Sequence, residues 1–213
     1  MGHHKNWAQQ ERQALSDLLG ELGPNHPTLC EGWTTGDLAA HLIVRERRPD
    51  AALGIMVSAL SSHTKNVMNS TKSLPWTEMV DQVRQGPPAW NPFAIPAIDA
   101  AANTLEYFVH HEDIRRTVDG WQPRDLDADF EALLWTRLKA MAPLMWRKAK
   151  VGVTLQSGTN HIIAKKTPQE PRVVAKGAVG ELVLKSYGRN ACVLELVGEP
   201  EAIELFNATP LGL

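Results

Sequence analysis

This chain has few cysteines, no excess of basic charge and no long apolar run. Its 213 residues include two cysteines, Cys30 and Cys192, which excludes a disulfide-stapled secreted fold. The net charge of −2 provides no basic field for nucleic acid or for an anionic membrane. No segment approaches the roughly 20 apolar residues that a membrane-spanning helix needs. The first residues lack the apolar core of a signal peptide. We therefore expect a cytoplasmic protein that binds neither nucleic acid nor membrane.

Motifs of two common enzyme classes are also missing. No glycine-rich phosphate-binding loop is present. Ser157-Gly158 has no identifiable histidine or acid partner, so a serine hydrolase has little support. Cys30 is better explained as a small buried loop residue than as a nucleophile. His3 and His4, whether native or tag-derived, are excluded as site residues.

The composition is that of a globular protein with a core of ordinary size, and the pattern changes near residue 149. Before it, apolar residues recur at helical spacing, as in Leu15, Leu18, Leu19 and Leu22. This spacing predicts helices over about 7–22, 77–85, 96–118 and 127–147. It also predicts a second helix that begins at Thr34 or Thr35 and is interrupted at Pro49. Short loops between long amphipathic helices favour an up-and-down bundle.

Beyond residue 149, short runs alternate apolar and polar residues, which is typical of half-buried strands. Strands are predicted near 151–156, 161–165, 172–176 and 192–197, with helices over 179–187 and 200–207. The chain should therefore be mainly α-helical, with two domains. We predict a metal-binding helical bundle over residues 1–148 and a small α+β domain over residues 149–213.

A carboxylate and an imidazole lie one turn apart in the predicted fourth helix. Glu106 and His110 are four residues apart, and at about 100° per residue their side chains fall within roughly 40° of each other. Such a pair can bind one metal ion. Asp113, three residues after His110, returns to the same border of the helix and can act as a hydrogen-bond partner behind its ring.

His41 provides the third predicted ligand, because it borders the Leu38/Leu42 stripe of the second helix. If the second and fourth helices pack side by side, His41, Glu106 and His110 form a set of two histidines and one carboxylate. Such a set leaves a coordination position open for water or substrate. Without a metal, the same residues would be a solvated Glu-His pair and a hydrogen-bonded histidine. Zinc suits the set, and nickel, iron or manganese can also occupy it.

Two segments resemble the mycothiol-dependent maleylpyruvate isomerase family. Leu29–Leu42 is similar to its first motif, in which Gly-Trp precedes a Thr or Ser cap, Asp-Leu and Ala-His. Glu106–His110 is similar to its second motif, a Glu-x-x-x-His. Residues 180–199 resemble its small sterol-carrier-like domain more loosely. The resemblance implies a DinB-like helical bundle that carries a divalent metal, usually zinc, on the same three residues, followed by a sterol-carrier-like domain.

The resemblance also implies a chemistry. A thiol cosubstrate, mycothiol in that family, would bind the open metal position, lose its proton and attack a small electrophile. An isomerase would then release the thiol, whereas a transferase would leave it on the product. The candidate catalytic residues are Arg45, one turn after His41, together with Asp113 and Arg189. Residues 45–50 and 110–116 resemble a subgroup with no assigned reaction, which leaves the substrate open.

Two alternatives remain open on the sequence. The bundle can carry a metal-dependent hydrolase in which metal-bound water is the nucleophile. It can also be a non-enzymatic protein that binds a metal or a small ligand. In the preferred hypothesis the partners are a small-molecule thiol and an electrophilic substrate, and the chain is a monomer or a homodimer.

Overall fold

A computed structural model describes residues 6–51, 61–167 and 171–211. The chain forms two compact units, Met1–Trp121 and Gln122–Leu213. The described part of the first is helical, and the second combines helices with a small sheet. The predicted fold class, mainly α with a helical domain followed by a small α+β domain, is confirmed. Among the helices in these ranges, none has the length and apolar character needed to cross a bilayer.

The first unit is built from helices α1 to α5. Their bounds are Trp7–Leu22 for α1, Thr35–Arg47 for α2, Ser61–Lys72 for α3, Trp76–Gln85 for α4 and Pro96–Arg115 for α5. A short 3-10 helix, Pro92–Ala94, precedes α5. Helix α1 packs on α4 and α5, whereas α2 packs on α3 and α4. The apolar core between these helices includes Leu15, Leu19, Leu38, Leu42, Met79, Val83, Tyr107 and Ile114.

Helix α2 begins at a capping box. Thr34 accepts a hydrogen bond from the backbone N–H of Asp37, and the Asp37 carboxylate accepts one from the backbone N–H of Thr34 at 3.0 Å. The loop before the helix folds back through a bridge between Pro27 and Thr34. Its Leu29 N–H donates to the Asp113 carbonyl of α5 at 2.9 Å. The loop is therefore tied to the helix that carries the second motif.

Periodicity does not predict α3, and composition explains why. The helix consists almost entirely of serine, threonine, asparagine, histidine and lysine, with Val67 and Met68 as its apolar residues. Val67 and Thr64 are buried, and the Thr64 hydroxyl donates to the carbonyl of Ala51. Packing against α2 therefore stabilises a segment that has no strong helical preference of its own.

The second unit contains helix α6, a sheet and two shorter helices. The helices are α6 Ala128–Met145, a 3-10 turn Trp146–Lys148, α7 Val179–Ser186 and α8 Pro200–Asn207. The strands are β1 Gly152–Ser157, β2 Asn160–Lys165, β3 Arg172–Lys176 and β4 Glu195–Val197. In the described residues the sheet order is β2-β1-β3-β4. Strand β1 is antiparallel to β2 and parallel to β3, and β3 is antiparallel to β4.

Helix α6 belongs to the second unit. It packs on β2 and α7, and the indole N–H of Trp146, just after its end, donates to the Ser186 hydroxyl at 3.0 Å. The compact units therefore divide at residue 121, whereas the sequence predicts a boundary at residue 148. The difference arises because helical spacing reveals an apolar face without revealing which partner covers it.

Candidate metal centre

The side chains of His41, Glu106 and His110 converge at one point. The Nε2 atom of His41, on α2, lies 3.0 Å from Oε1 of Glu106, on α5. The Nε2 atom of His110, one turn further along α5, lies 3.3 Å from the same oxygen. The two imidazole rings are 5.3 Å apart between centroids, at an angle of 72°. The predicted juxtaposition of two histidines and one carboxylate is thus present in the described structure.

Burial and hydrogen bonding shift the pKa values of all three groups. Burial lowers the pKa of His41 despite its contact with Glu106. Burial alone would raise the pKa of Glu106, but hydrogen bonds from His110 and His41 outweigh it and lower that pKa well below the usual value. Burial alone would also lower the pKa of His110, yet hydrogen bonds with Asp113, Cys30 and Glu106 raise it well above the usual value. These hydrogen bonds therefore favour the charged forms of Glu106 and His110, whereas burial favours the neutral form of His41.

Asp113 lies behind the ring of His110, on the side away from Glu106. Its Oδ2 atom is 3.0 Å from Nδ1 of His110, and the Asp113 side chain is fully buried. A carboxylate at Nδ1 keeps the proton on that nitrogen and leaves the Nε2 lone pair for a metal. The thiol of Cys30 donates to the same Oδ2 at 3.2 Å. Cys30 is therefore part of the surroundings of His110, which its loop position alone does not reveal.

Arg45 occupies the other side of Glu106. Its Nε lies 3.5 Å from the Glu106 carboxylate, and its guanidinium donates to the Asn103 side chain and to the carbonyl of Ala102. It also lies over the ring of Phe93 at 5.2 Å. These contacts hold α2 to α5 through polar groups and place a cation next to the carboxylate.

Asn103 continues the polar contacts into the interior. Its amide donates to Glu46 at 3.0 Å and to Asp99 at 2.7 Å, and both carboxylates pair with the buried Arg12. Tyr107 donates its hydroxyl to Glu46 at 3.0 Å. Residue spacing within single helices gives no signal for this network, because its members lie on α1, α2 and α5. The network links α1, α2 and α5, and Arg45 connects it to Glu106.

The donor set fits a divalent metal such as zinc. With metal–ligand distances of about 2.0–2.1 Å, neighbouring donors of a tetrahedral zinc site are about 3.3–3.4 Å apart. The two nitrogen-to-oxygen distances of 3.0 and 3.3 Å are close to that value, and all three donors lie within 4.8 Å of one another. Two imidazoles and a carboxylate are also the ligand types that zinc prefers.

A second group, Cys30, His110 and Asp113, also satisfies this spacing. It shares His110 but lies on the Nδ1 side of the ring, where Asp113 is located. Asp113 is fully enclosed, whereas the Glu106 side chain is partly exposed. An open coordination position is therefore more accessible at the first group. The contact between Asp113 and His110 is then a supporting hydrogen bond of the kind that orients metal-binding histidines.

Arg189, the remaining candidate catalytic residue, lies in the second compact unit. It follows α7, and its guanidinium donates to the carbonyl of Tyr187 at 2.7 Å. Its catalytic role stays a prediction, as do the roles of Arg45 and Asp113.

Comparisons with known proteins identify the fold. No protein-family model matches the chain, and neither does any curated protein sequence. The crystal structure of the mycothiol-dependent maleylpyruvate isomerase is similar, with a TM-score of 0.60 and 15% identity over 89% of this chain and 90% of that chain. A variant of that isomerase with a histidine replaced by alanine gives 0.61 and 14% over the same shares. At such low identity, the likeness shows a common fold, as the sequence motifs predicted.

Proposed function

We propose that His41, Glu106 and His110 bind one divalent metal ion, zinc in the first instance, and that the protein is a thiol-dependent isomerase or transferase acting on a small electrophile. The observation that carries the proposal is the convergence of two imidazole Nε2 atoms on one carboxylate oxygen. The fold shared with a mycothiol-dependent isomerase supports mycothiol as the thiol.

The surrounding residues have distinct roles in this proposal. A bound zinc ion lowers the pKa of a coordinating thiol, so that the thiolate is available at neutral pH. Asp113 holds the proton of His110 on Nδ1 and thereby orients Nε2 towards the site. Glu106 supplies the one negative charge among the three ligands. Trp33, whose ring lies 5.2 Å from that of His41, covers one side of that imidazole.

Arg45 positions Glu106 in this proposal. Its guanidinium already contacts Asn103, Ala102 and Glu106, so few of its N–H groups remain for a substrate carboxylate. The same contacts keep the Glu106 carboxylate turned towards the two histidines.

Metal analysis of the purified protein tests the site. His3 and His4 are first replaced by alanine, because they can bind metal by themselves. We expect about one equivalent of metal in this parent protein, with most of it lost in His110→Ala and Glu106→Gln. His63→Ala is the matched control, because His63 is exposed and contacts Asp50 rather than the centre. Equal metal content in the parent and His110→Ala would refute the site.

Cys30→Ser distinguishes the two ligand groups. If the metal binds to His41, Glu106 and His110, this variant keeps its metal. If it binds to Cys30, His110 and Asp113, most of the metal is lost and His41→Ala has little effect.

The thiol-dependent reaction requires a separate test. In protein loaded with cobalt(II), mycothiol should produce a thiolate-to-cobalt absorption band. The S-methylated thiol, which cannot form a thiolate, should not produce this band. Maleylpyruvate, named in the similar structure, is the first electrophile to test. Consumption of an electrophile only with thiol supports the proposal. Hydrolysis without thiol would favour a metal-dependent hydrolase, and metal binding without either reaction would favour a binding protein.

A further inference from the structure

The second compact unit contains a cavity of about 410 Å³ that the metal centre does not use. Its walls come from α7, α8, β4 and the segment that leads into β4. The volume lies in the range of roughly 300–1,000 Å³ found for small-molecule sites. The lining residues that matter here are Lys185, Asn190, Cys192, Leu194, Leu196 and Phe206.

Lys185 is the unusual residue of this cavity. It is 6% exposed, and its Nζ donates to the side-chain oxygen of Asn190 at 3.0 Å and lies 5.5 Å from the ring of Phe206. Within the described ranges, no carboxylate pairs with it. An ammonium group that is withdrawn from water without a counter-ion destabilises the protein. Burial correspondingly lowers the pKa of Lys185.

Other buried cations of this chain have carboxylate partners. Arg12 pairs with Glu46 at 2.8 Å and with Asp99 at 2.9 Å. Arg116 pairs with Glu112 at 2.6 Å. These side chains satisfy the usual rule that a buried charge has a partner of opposite sign. Lys185 departs from the rule, and it lines a cavity.

The cavity walls indicate the rest of the ligand. Leu194, Leu196 and Phe206 form an apolar part of the wall, next to the polar side chains of Lys185, Asn190 and Asn207, so the lining suits a molecule that has both an apolar and a charged part. Because the ammonium has three N–H donors and Asn190 takes one, two remain for a ligand oxygen pair. We propose that this cavity binds a small amphipathic carboxylate, whose head group pairs with Lys185 and whose apolar body lies against the leucines and the phenylalanine.

This site is distinct from the metal centre and does not depend on the proposed reaction. None of its residues contributes to the centre formed by His41, Glu106 and His110. Metal content measured in the same samples therefore separates the two proposals, because either one can fail while the other holds.

Octanoate is the probe for the first test, with 1-octanol as the uncharged control of equal chain length. Both are titrated into the full-length protein and followed by NMR chemical-shift changes. We expect saturable octanoate binding, with octanol at least tenfold weaker. In Lys185→Met, octanoate should bind at least tenfold more weakly, while octanol binding is retained. The variant should unfold at the same temperature as the parent or higher, because it removes an unpaired buried charge.

Alkylation of Cys192 provides a second readout, since this residue lines the cavity. Octanoate should slow the reaction of Cys192 with iodoacetamide in the parent protein but not in Lys185→Met. Cys30, which lies in the first unit, serves as the internal control in the same mass spectra. The proposal is overturned if octanoate shows no saturable binding, if Lys185→Met binds it as tightly as the parent, or if Cys30 and Cys192 are protected equally.

Discussion

Replacing Asp113 by asparagine should weaken zinc binding without removing any of the three proposed ligands. The Asp113 carboxylate is fully buried and lies 3.0 Å from Nδ1 of His110. Asparagine keeps an oxygen acceptor in the same place but removes the negative charge. Loss of such a supporting partner typically reduces metal affinity about 10- to 100-fold, or about 1.4 to 2.8 kcal/mol. We expect the lower end for Asp113→Asn and the upper end for Asp113→Ala, which also removes the acceptor.

The pH dependence provides a sharper signature. Although burial opposes it, hydrogen bonding to Asp113 raises the pKa of His110, so a proton must leave before the metal binds. Metal affinity should therefore rise with pH and level off above that pKa. In Asp113→Asn the pKa of His110 falls, so protons compete less strongly with the metal for His110. The bond between His110 and the metal also becomes weaker. The difference in metal affinity between the parent and Asp113→Asn should be largest at high pH and should become smaller as the pH falls.

Competition with a fluorescent zinc chelator between pH 6 and pH 9 measures both effects. Asp119→Asn is the matched control, because Asp119 is exposed and lies beyond the end of α5. Cys30→Ala removes a second donor to Asp113 and should change the affinity much less than Asp113→Asn. Equal zinc affinity of the parent and Asp113→Asn at pH 8 would refute the supporting role of Asp113.

Three further predictions concern stability and are measured by urea unfolding. Arg12→Met leaves two buried carboxylates without their cation and should lower the free energy of unfolding by about 3–5 kcal/mol, whereas Arg48→Met, at an exposed pair, should leave the midpoint unchanged. Trp146→Phe removes the buried indole donor to Ser186 and should cost about 1–3 kcal/mol, and an unchanged midpoint would show that this hydrogen bond contributes nothing. The pKa of Asp37 is lowered: burial alone would raise it, but hydrogen bonds from Lys72 and Thr34 outweigh burial. The ionised Asp37 therefore stabilises the fold above the pKa that it has in the unfolded chain, and this stabilisation is lost as the pH falls. Asp37→Asn should therefore lower the free energy of unfolding at pH 7, by at most about 1 kcal/mol because the pair with Lys72 is partly exposed, and the difference from the parent should disappear in acid.

The sequence predicts those elements whose signals are local. Helix α1 has an apolar repeat and ends at Gly23-Pro24, and its predicted bounds agree with the structure. Strand β3 and helix α8 also agree with their predicted bounds. Helix α3 escapes prediction because tertiary packing, not its polar composition, stabilises it. The partner of α6 escapes prediction because an apolar stripe fits a sheet as well as a bundle.

The candidate centre shows the same limit. The spacing of Glu106 and His110 places those two side chains on one side of their helix, and the structure brings His41 to the same point, as expected if the two helices pack side by side. The orientation of α5 is less predictable from its apolar residues. Ile98, which is apolar, is 37% exposed, whereas Asn103, which is polar, is completely buried. A polar network across several helices overrides the hydrophobic pattern there, and single-helix periodicity cannot reveal it.

The contacts at Asp113 set an order of events for biosynthesis. This residue binds the loop of the first motif twice, through its carbonyl to the Leu29 N–H and through its carboxylate to the Cys30 thiol. Because the first motif precedes residue 113 by about 70 residues, it leaves the ribosome well before the segment that anchors it. His41 therefore lacks its carboxylate neighbour until residue 106 has emerged, and the loop in front of its helix lacks its anchor until residue 113 has emerged. If the proposed metal binds, its three ligands are complete only after the second motif has been synthesised.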